Sequence, residues 1–171
     1  SIPGQRVVVI GGGAVGCETA VLLADQGTLN AEQTKFLMRH NAESDEFIHE
    51  LLRQSTRQVT IVEMRNDVGM DIGISTRWGV KQQIQQLGIT CIKKKKVVEI
   101  SAAGVCVQTA DGNRKNLATD TIVLAIGSRA CNQLAQEING KIPEVYLVGD
   151  AVEPGKIARC IQDAYELAIK I

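Results

Sequence analysis

Arg6 is followed by four β-branched residues, Val7, Val8, Val9 and Ile10, which run into Gly11-Gly12-Gly13-Ala14-Val15-Gly16. Such an apolar run predicts a strand. Helical periodicity then covers 14–26, with Val15, Ala20, Val21, Leu22 and Leu23 toward a sheet, and Gly27 stops it. A second strand is predicted at 58–63 and a helix at 75–87, with Trp78, Val80, Ile84 and Leu87 at helical spacing. Gly88 ends that helix, and 89–95 reads as a third parallel strand. The rhythm then shortens to alternating segments at 97–100, 105–109 and 114–117. Asp111-Gly112 between apolar runs is a strong hairpin signal, so these segments form a small antiparallel meander. The chain returns to the main sheet at 121–125 and turns at Gly127. A further strand is predicted at 145–148, followed after Pro154-Gly155 by a last helix with Ile157, Ile161, Ala164, Ala168 and Ile171 in one stripe.

This is a strand–turn–helix of the kind that binds a dinucleotide pyrophosphate. Gly11 permits the tight turn, because it tolerates backbone angles that a side chain forbids. Gly13 lets phosphates approach the main chain, and Gly16 lets the helix pack on the strand. The first helical amides, from Ala14 and Val15, then face the phosphate oxygens at the positive end of the helix dipole. The reading requires this bend to border a crevice and not to lie buried beneath side chains.

In a minimal unit an acidic residue ends the second strand about 20 positions after the glycines. Here Glu63 fills that place much later, which implies an insertion of about thirty residues. Asn30 with Gln33 has the pattern of a capping box, and Ser44-Asp45-Glu46 that of a second helix start. Phe47, Ile48, Leu51 and Leu52 form one apolar face. A helical hairpin over the sheet edge is the expectation for 28–56.

Glu63 can accept hydrogen bonds from the adenosine ribose hydroxyls and would repel the extra phosphate of NADP, so NAD is favoured. Arg65 argues the other way, since a nearby arginine could hold that phosphate. Glu18 serves either the helix dipole or the nicotinamide end of the cofactor. The small residues of Ala125-Ile126-Gly127-Ser128 would let a cofactor lie over the carboxyl end of the strand. Asp150, after Gly149, suits polyol hydroxyls, although taken alone it reads as a helix cap. His40 and His49 belong on a solvated helical face. Lys93 to Lys96 reads as a charged strand edge that blocks sheet pairing. No Ser/His/Asp grouping, metal ligand set or P-loop pattern is present, so chemistry falls to bound cofactors.

Composition narrows the classes. The net charge of +0 and the 3% aromatic content argue against nucleic acid or an anionic membrane as partner. No apolar run is long enough to span a bilayer, and no signal peptide is evident. Cys17, Cys91, Cys106, Cys131 and Cys160 are scattered, which points to buried free thiols in a reducing cytoplasm.

GQRVVVIGGGAVGCETAVLLADQG and VYLVGDAVEPGKIARCIQDAYELA together resemble the flavoproteins with two dinucleotide domains. FLMRHNAES and DIGISTRW are similar to 2-enoate reductases, within the NADH:flavin oxidoreductases that carry an old-yellow-enzyme-like barrel. That group includes 2,4-dienoyl-CoA reductase and trimethylamine dehydrogenase. The resemblance covers essentially the whole chain. It implies NAD(H) contacts at Gly11, Gly13, Gly16 and Glu63, and a small residue beside the nicotinamide at Gly127. It also implies an FAD ribityl contact at Gly149 and Asp150. The family's first glycine fingerprint, its FMN barrel and its iron–sulfur cysteines have no counterpart here.

The expected architecture is therefore α/β: a Rossmann-like parallel sheet with helices on both faces, a small antiparallel meander and a helical-hairpin insertion. Residues 1–127 would form the NAD(H)-binding domain, and 128–171 would be the remnant of an FAD-binding domain with only part of its site. The resemblance implies that the chain is a piece of a larger enzyme, whose barrel and FAD half would be its natural partners. Without them, an apolar surface near the last helix predicts self-association.

Overall fold

The computed structural model describes residues 2–171, which fall into two compact units, 2–126 and 127–171. In the first unit, four strands form a parallel sheet in the order β3-β2-β1-β7. They are β1 (Arg6–Ile10), β2 (Gln58–Val62), β3 (Thr90–Ile92) and β7 (Thr121–Leu124). β1 lies centrally, with Val9 opposite Ile61 on one side and Val123 on the other. Three antiparallel strands, β4 (Lys95–Ser101), β5 (Gly104–Thr109) and β6 (Arg114–Leu117), make the meander, with a register shift between Val97 and Glu99.

The two sides of β1 build two cores, because successive side chains point to opposite faces. Val7 and Val9 pack with Val59, Ile61, Cys17, Ala20, Leu23 and Ile84 beneath helices α1 (Ala14–Asp25) and α4 (Ile74–Gln86). Val8, Ile10 and Val62 pack instead against Val105 and Val107 of the meander. The Rossmann-like α/β plan is as expected. On the second face, however, the meander covers the sheet where a helix was anticipated: the alternating Val105 and Val107 supply the apolar face that a crossover helix would otherwise present.

The insertion is helical, with α2 (Ala31–His40) and α3 (Asp45–Leu51). Asn30 accepts from the Gln33 amide at 2.8 Å and Gln33 Oε1 from the Asn30 amide at 3.0 Å, completing the capping box. Ser44 accepts from the Phe47 amide. The hairpin does not lie over the sheet edge. His49, Leu52 and Arg53 share a cleft with Val21 and Asp25 of α1 and with Gln83, Gln86 and Leu87 around the end of α4, so it abuts the helical layer. Of its apolar residues Ile48 is buried, while Phe36, Met38 and Phe47 are exposed.

Three other expectations change. Val15 (68% exposed) and Trp78 (67% exposed) leave the core, because the helix–sheet contact is satisfied by small or branched neighbours such as Ala20 and Ile84. Residues 93–96 do not form a pairing-blocking edge. Lys94 turns the chain with φ 56°, and Lys95 and Lys96 pair with Thr109 and Gln108. Of the five free cysteines only Cys17 is fully buried, and Cys131 is exposed.

The second unit holds α5 (Gln133–Ile138), a 3-10 turn (Gly149–Ala151) and α6 (Ile157–Ala168). Residues 145–148 are not a strand. Val148 has extended angles, φ −141° and ψ 160°, but the segment joins no ladder among the described residues. The expected stripe on α6 is unburied: Ile157, Ile161, Ala164 and Ala168 are exposed, Ile171 lies beyond the helix, and Tyr165 and Ile169 are exposed as well.

Ile61 is fully buried between the layers. Ile61→Ala should lower unfolding stability by about 2–5 kcal/mol, whereas Trp78→Ala should change it by less than about 1 kcal/mol; urea denaturation followed by circular dichroism checks both.

Candidate functional site

The turn between β1 and α1 is built on backbone that only glycine fits. Gly11 has φ 106°, and a Cβ there would lie 2.2 Å from the Ala125 carbonyl oxygen. A Cβ on Gly16 would lie 1.9 Å from the Gly11 carbonyl oxygen. Both values are far inside contact distance, so the turn, the start of α1 and the end of β7 are pressed together. Gly12 and Gly16 are buried, Gly13 and Ala14 are half-buried, and Val15 is exposed, so the bend is accessible along its outer edge.

Glu63 follows directly on β2 and is buried. One carboxylate oxygen accepts from the Gly12 amide at 2.7 Å and the other from the Arg65 amide at 2.8 Å. Each oxygen has a second lone pair, so the carboxylate keeps acceptor capacity toward a ligand. The strand end also bonds its neighbours through Gly11 N to the Val62 carbonyl at 2.9 Å and Glu63 N to the Ile92 carbonyl at 2.9 Å.

The loop after β2 contributes directly to the site. Gly69 N donates to the Gly12 carbonyl at 2.6 Å. Asp71 accepts from the Ala14 amide with both oxygens, at 2.9 and 3.1 Å. A Cβ on Gly13 would stand 3.0 Å from the same carboxylate. The first free amide of α1 thus already faces an anion, one supplied by the chain itself. The signal in sequence was an acidic residue inside a glycine-bounded loop, Gly69-Met70-Asp71-Ile72-Gly73.

Asp67 pins this loop from below. It bridges to Lys81 on α4 and to Lys93 after β3, the latter at 2.8 Å. Hydrogen bonds from Lys81 and Lys93 hold its carboxyl well below the usual carboxylate range. Arg77 donates to the Met70 carbonyl at 2.9 Å and the Ile72 carbonyl at 2.8 Å, fixing the loop on either side of Asp71. Behind the turn, Cys17 donates to the Gly12 carbonyl, and burial pushes its thiol up to about 11, with Cys91 nearby adding to the shift.

Glu18 is exposed and belongs to the second turn of α1, not the first, which contains no acidic residue. It therefore does not serve as the first-turn complement to the helix dipole. In the second unit, Gly127 has φ 90° with open space around it, and Gly149 has φ 63°. Asp150 is exposed; its Oδ1 accepts from the Gly155 amide at 3.1 Å, while Lys156 is the N-cap of α6. The helix-cap alternative for Asp150 is thus replaced by a tie across the loop that precedes α6. His40 and His49 are exposed, and His40 stacks near Phe36. No cluster of three or more metal-ligating side chains occurs among the described residues, nor any helix long and apolar enough to cross a membrane.

The family described as pyridine nucleotide-disulphide oxidoreductase matches residues 1–168. The chain belongs to that family. Its members are flavoprotein oxidoreductases with a dinucleotide-binding Rossmann fold, and binding of pyridine nucleotide and flavin is characteristic of the group. A metal reductase of Desulforamulus reducens is 44% identical over 98% of this chain, which spans 25% of that protein. An NADH oxidase of Thermoanaerobacter brockii is 33% identical over 98% of the chain, which spans 21% of it. Among solved structures, a 2-naphthoyl-CoA reductase matches with TM-score 0.73 and 26% identity over 100% of this chain and 22% of its own. The chain thus spans about a quarter or less of the length of these relatives.

The Asp67 bridge gives a pH test. Its carboxyl is depressed in the folded state, so its stabilisation is complete above the unfolded value of about 3.9 and is lost as pH falls through the lower folded value. Asp67→Asn should be less stable than the parent sequence near neutrality. The gap in urea midpoint should hold down to about pH 4 and then narrow steadily toward pH 2, as the unfolded carboxyl takes up its proton while the folded one stays ionised.

Proposed function

We propose that residues 1–127 form the NAD(H)-binding domain of an NADH-dependent flavin oxidoreductase, and that 128–171 contribute part of an FAD-binding domain. The observation that carries this reading is the Glu63 carboxylate brought to 2.7 Å from the Gly12 amide, at the glycine turn of a strand–turn–helix. A ribose acceptor and a pyrophosphate cradle then share one strand edge. Gly13 would give the diphosphate close access to the main chain, and the amides of Ala14 and Val15 would face its oxygens. Glu63 would take the adenosine ribose hydroxyls on its remaining lone pairs. Gly127 would leave room beside the nicotinamide, and Glu18 would stand toward that end. Gly149 and Asp150 would hold the ribityl chain of FAD, for which this chain carries only part of a site.

When bound, NADH supplies the hydride that reduces FAD in such an enzyme. This chain's contribution is positional: it fixes the diphosphate and the ribose, and orients the ring they carry. The substrate class favoured is an enoate or dienoyl compound, reduced at an FMN-bearing barrel elsewhere in the parent enzyme. The 29% identity to a cinnamate reductase of Clostridium sporogenes and the likeness to a 2-naphthoyl-CoA reductase support it. The 33% identity to an NADH oxidase supports a second reading, in which the flavin passes its electrons to dioxygen. In either case the isolated chain should bind nucleotide without turnover, in a cytoplasmic setting.

Calorimetry tests the cofactor assignment. NADH should bind more tightly than NADPH, and Glu63→Ala should weaken NADH by about tenfold, the loss of a buried charged acceptor. Tighter binding of NADPH would refute the ribose role of Glu63. The exposed stripe of Ile157, Ile161, Tyr165 and Ile169 should also drive self-association of the isolated chain. Sedimentation at rising concentration should show it, and Ile161→Lys should reduce it.

A further inference from the structure

We propose that the Asp71 side chain is an intramolecular competitor for the diphosphate seat, an autoinhibitory contact that an incoming dinucleotide must displace. This rests on the cofactor reading above and adds a determinant of affinity to it. Both Asp71 oxygens lie within 3.1 Å of the Ala14 amide, and a Cβ placed on Gly13 would stand 3.0 Å from the same carboxylate, which therefore occupies the space beside that glycine. Those are the positions where a diphosphate would seek the same donor. Two anions cannot share one amide at such separations without strong mutual repulsion, so occupancy is exclusive.

The arrangement suits a side chain that leaves while its loop stays. The flanks are fixed: Gly69 N on the Gly12 carbonyl, Arg77 on the carbonyls of Met70 and Ile72, and Asp67 on Lys81 and Lys93. Asp71 itself is exposed, and no salt bridge holds it among the described residues. Rotation about its own side-chain bonds frees the Ala14 amide without breaking any of the flanking contacts. The free protein thereby keeps the positive end of α1 neutralised, and part of the ligand's interaction is spent replacing an anion already seated.

The test is calorimetric titration of NADH into the wild-type protein, Asp71→Asn and Asp71→Ser. Both variants remove the charge; Asn keeps an acceptor of the same reach and Ser only a shorter one, so comparison with the wild type reads the charge and comparison between the two reads the reach of the capping oxygen. Both variants should bind NADH about two- to tenfold more tightly at low ionic strength. The advantage should shrink in about 0.5 M salt, because the seat lies at the surface and its charges are screened. Wild-type binding with unchanged or weaker affinity in both variants would overturn the proposal and leave the cofactor reading standing. So would an advantage indifferent to salt. Absence of NADH binding in all three proteins would instead overturn the cofactor reading, and this proposal with it.

Discussion

The site rests on an absent methyl group. The first helix can start against the first strand only because Gly16 has no side chain; a Cβ would sit 1.9 Å from the Gly11 carbonyl oxygen. That approach sets the axis of α1 and brings its opening amides to the carboxyl end of the sheet. The same compression explains Gly11, whose missing side chain gives way to the carbonyl of Ala125, the residue just past β7. Two strands and a helix thus meet within a space that any other residue would fill, and the amides they leave exposed have only one direction in which to point.

Around that point the chain arranges acidic groups with distinct tasks. Glu63 braces the turn by accepting from Gly12 and Arg65; Asp71 faces the helix terminus; Asp67 anchors the loop between them through two lysines. A buried carboxylate is costly unless its lone pairs are met, and Glu63 meets that requirement with main-chain amides while leaving capacity for a ligand. The cores on the two sheet faces provide the rigidity behind this rim. β1 is buried on both sides, so neither its end nor the turn that follows can shift without disturbing both layers.

The parts of this architecture that follow from local chemistry were readable in the chain. The Val7–Ile10 run, the glycine spacing, the Asn30–Gln33 capping box and the Asp111-Gly112 hairpin each depend on residues close in sequence, and each is present. What could not be read depends on tertiary partners. Residues 145–148 have the composition of a strand, but an extended segment becomes one only with a neighbour to pair with. Trp78 and Val15 fit an apolar helical face, but which part of that face meets the sheet is set by how the helix is tilted onto it. Lys93 reads in the sequence as part of a charged strand edge, and only the fold supplies its partner, Asp67. Of the candidate site, the glycines are legible from their spacing and Glu63 from its place at the end of the second strand; Asp71 is not, because its partner, Ala14, is 57 residues away.

The order of strands also carries a consequence for how the molecule assembles. The central strand borders β7, and the Arg6–Asp120 pair that staples this seam joins residues 114 apart in sequence. The meander, by contrast, closes hairpins between immediate neighbours, such as Ile100 with Val105. Ring closure over a long stretch of chain loses more entropy than closure of a short one, so local hairpins have a kinetic head start and the β1–β7 seam zips late. The close approach of the Ala125 carbonyl to Gly11 thus depends on the pairing that closes the longest stretch of chain in the parallel sheet, and it carries the largest entropic cost of closure there.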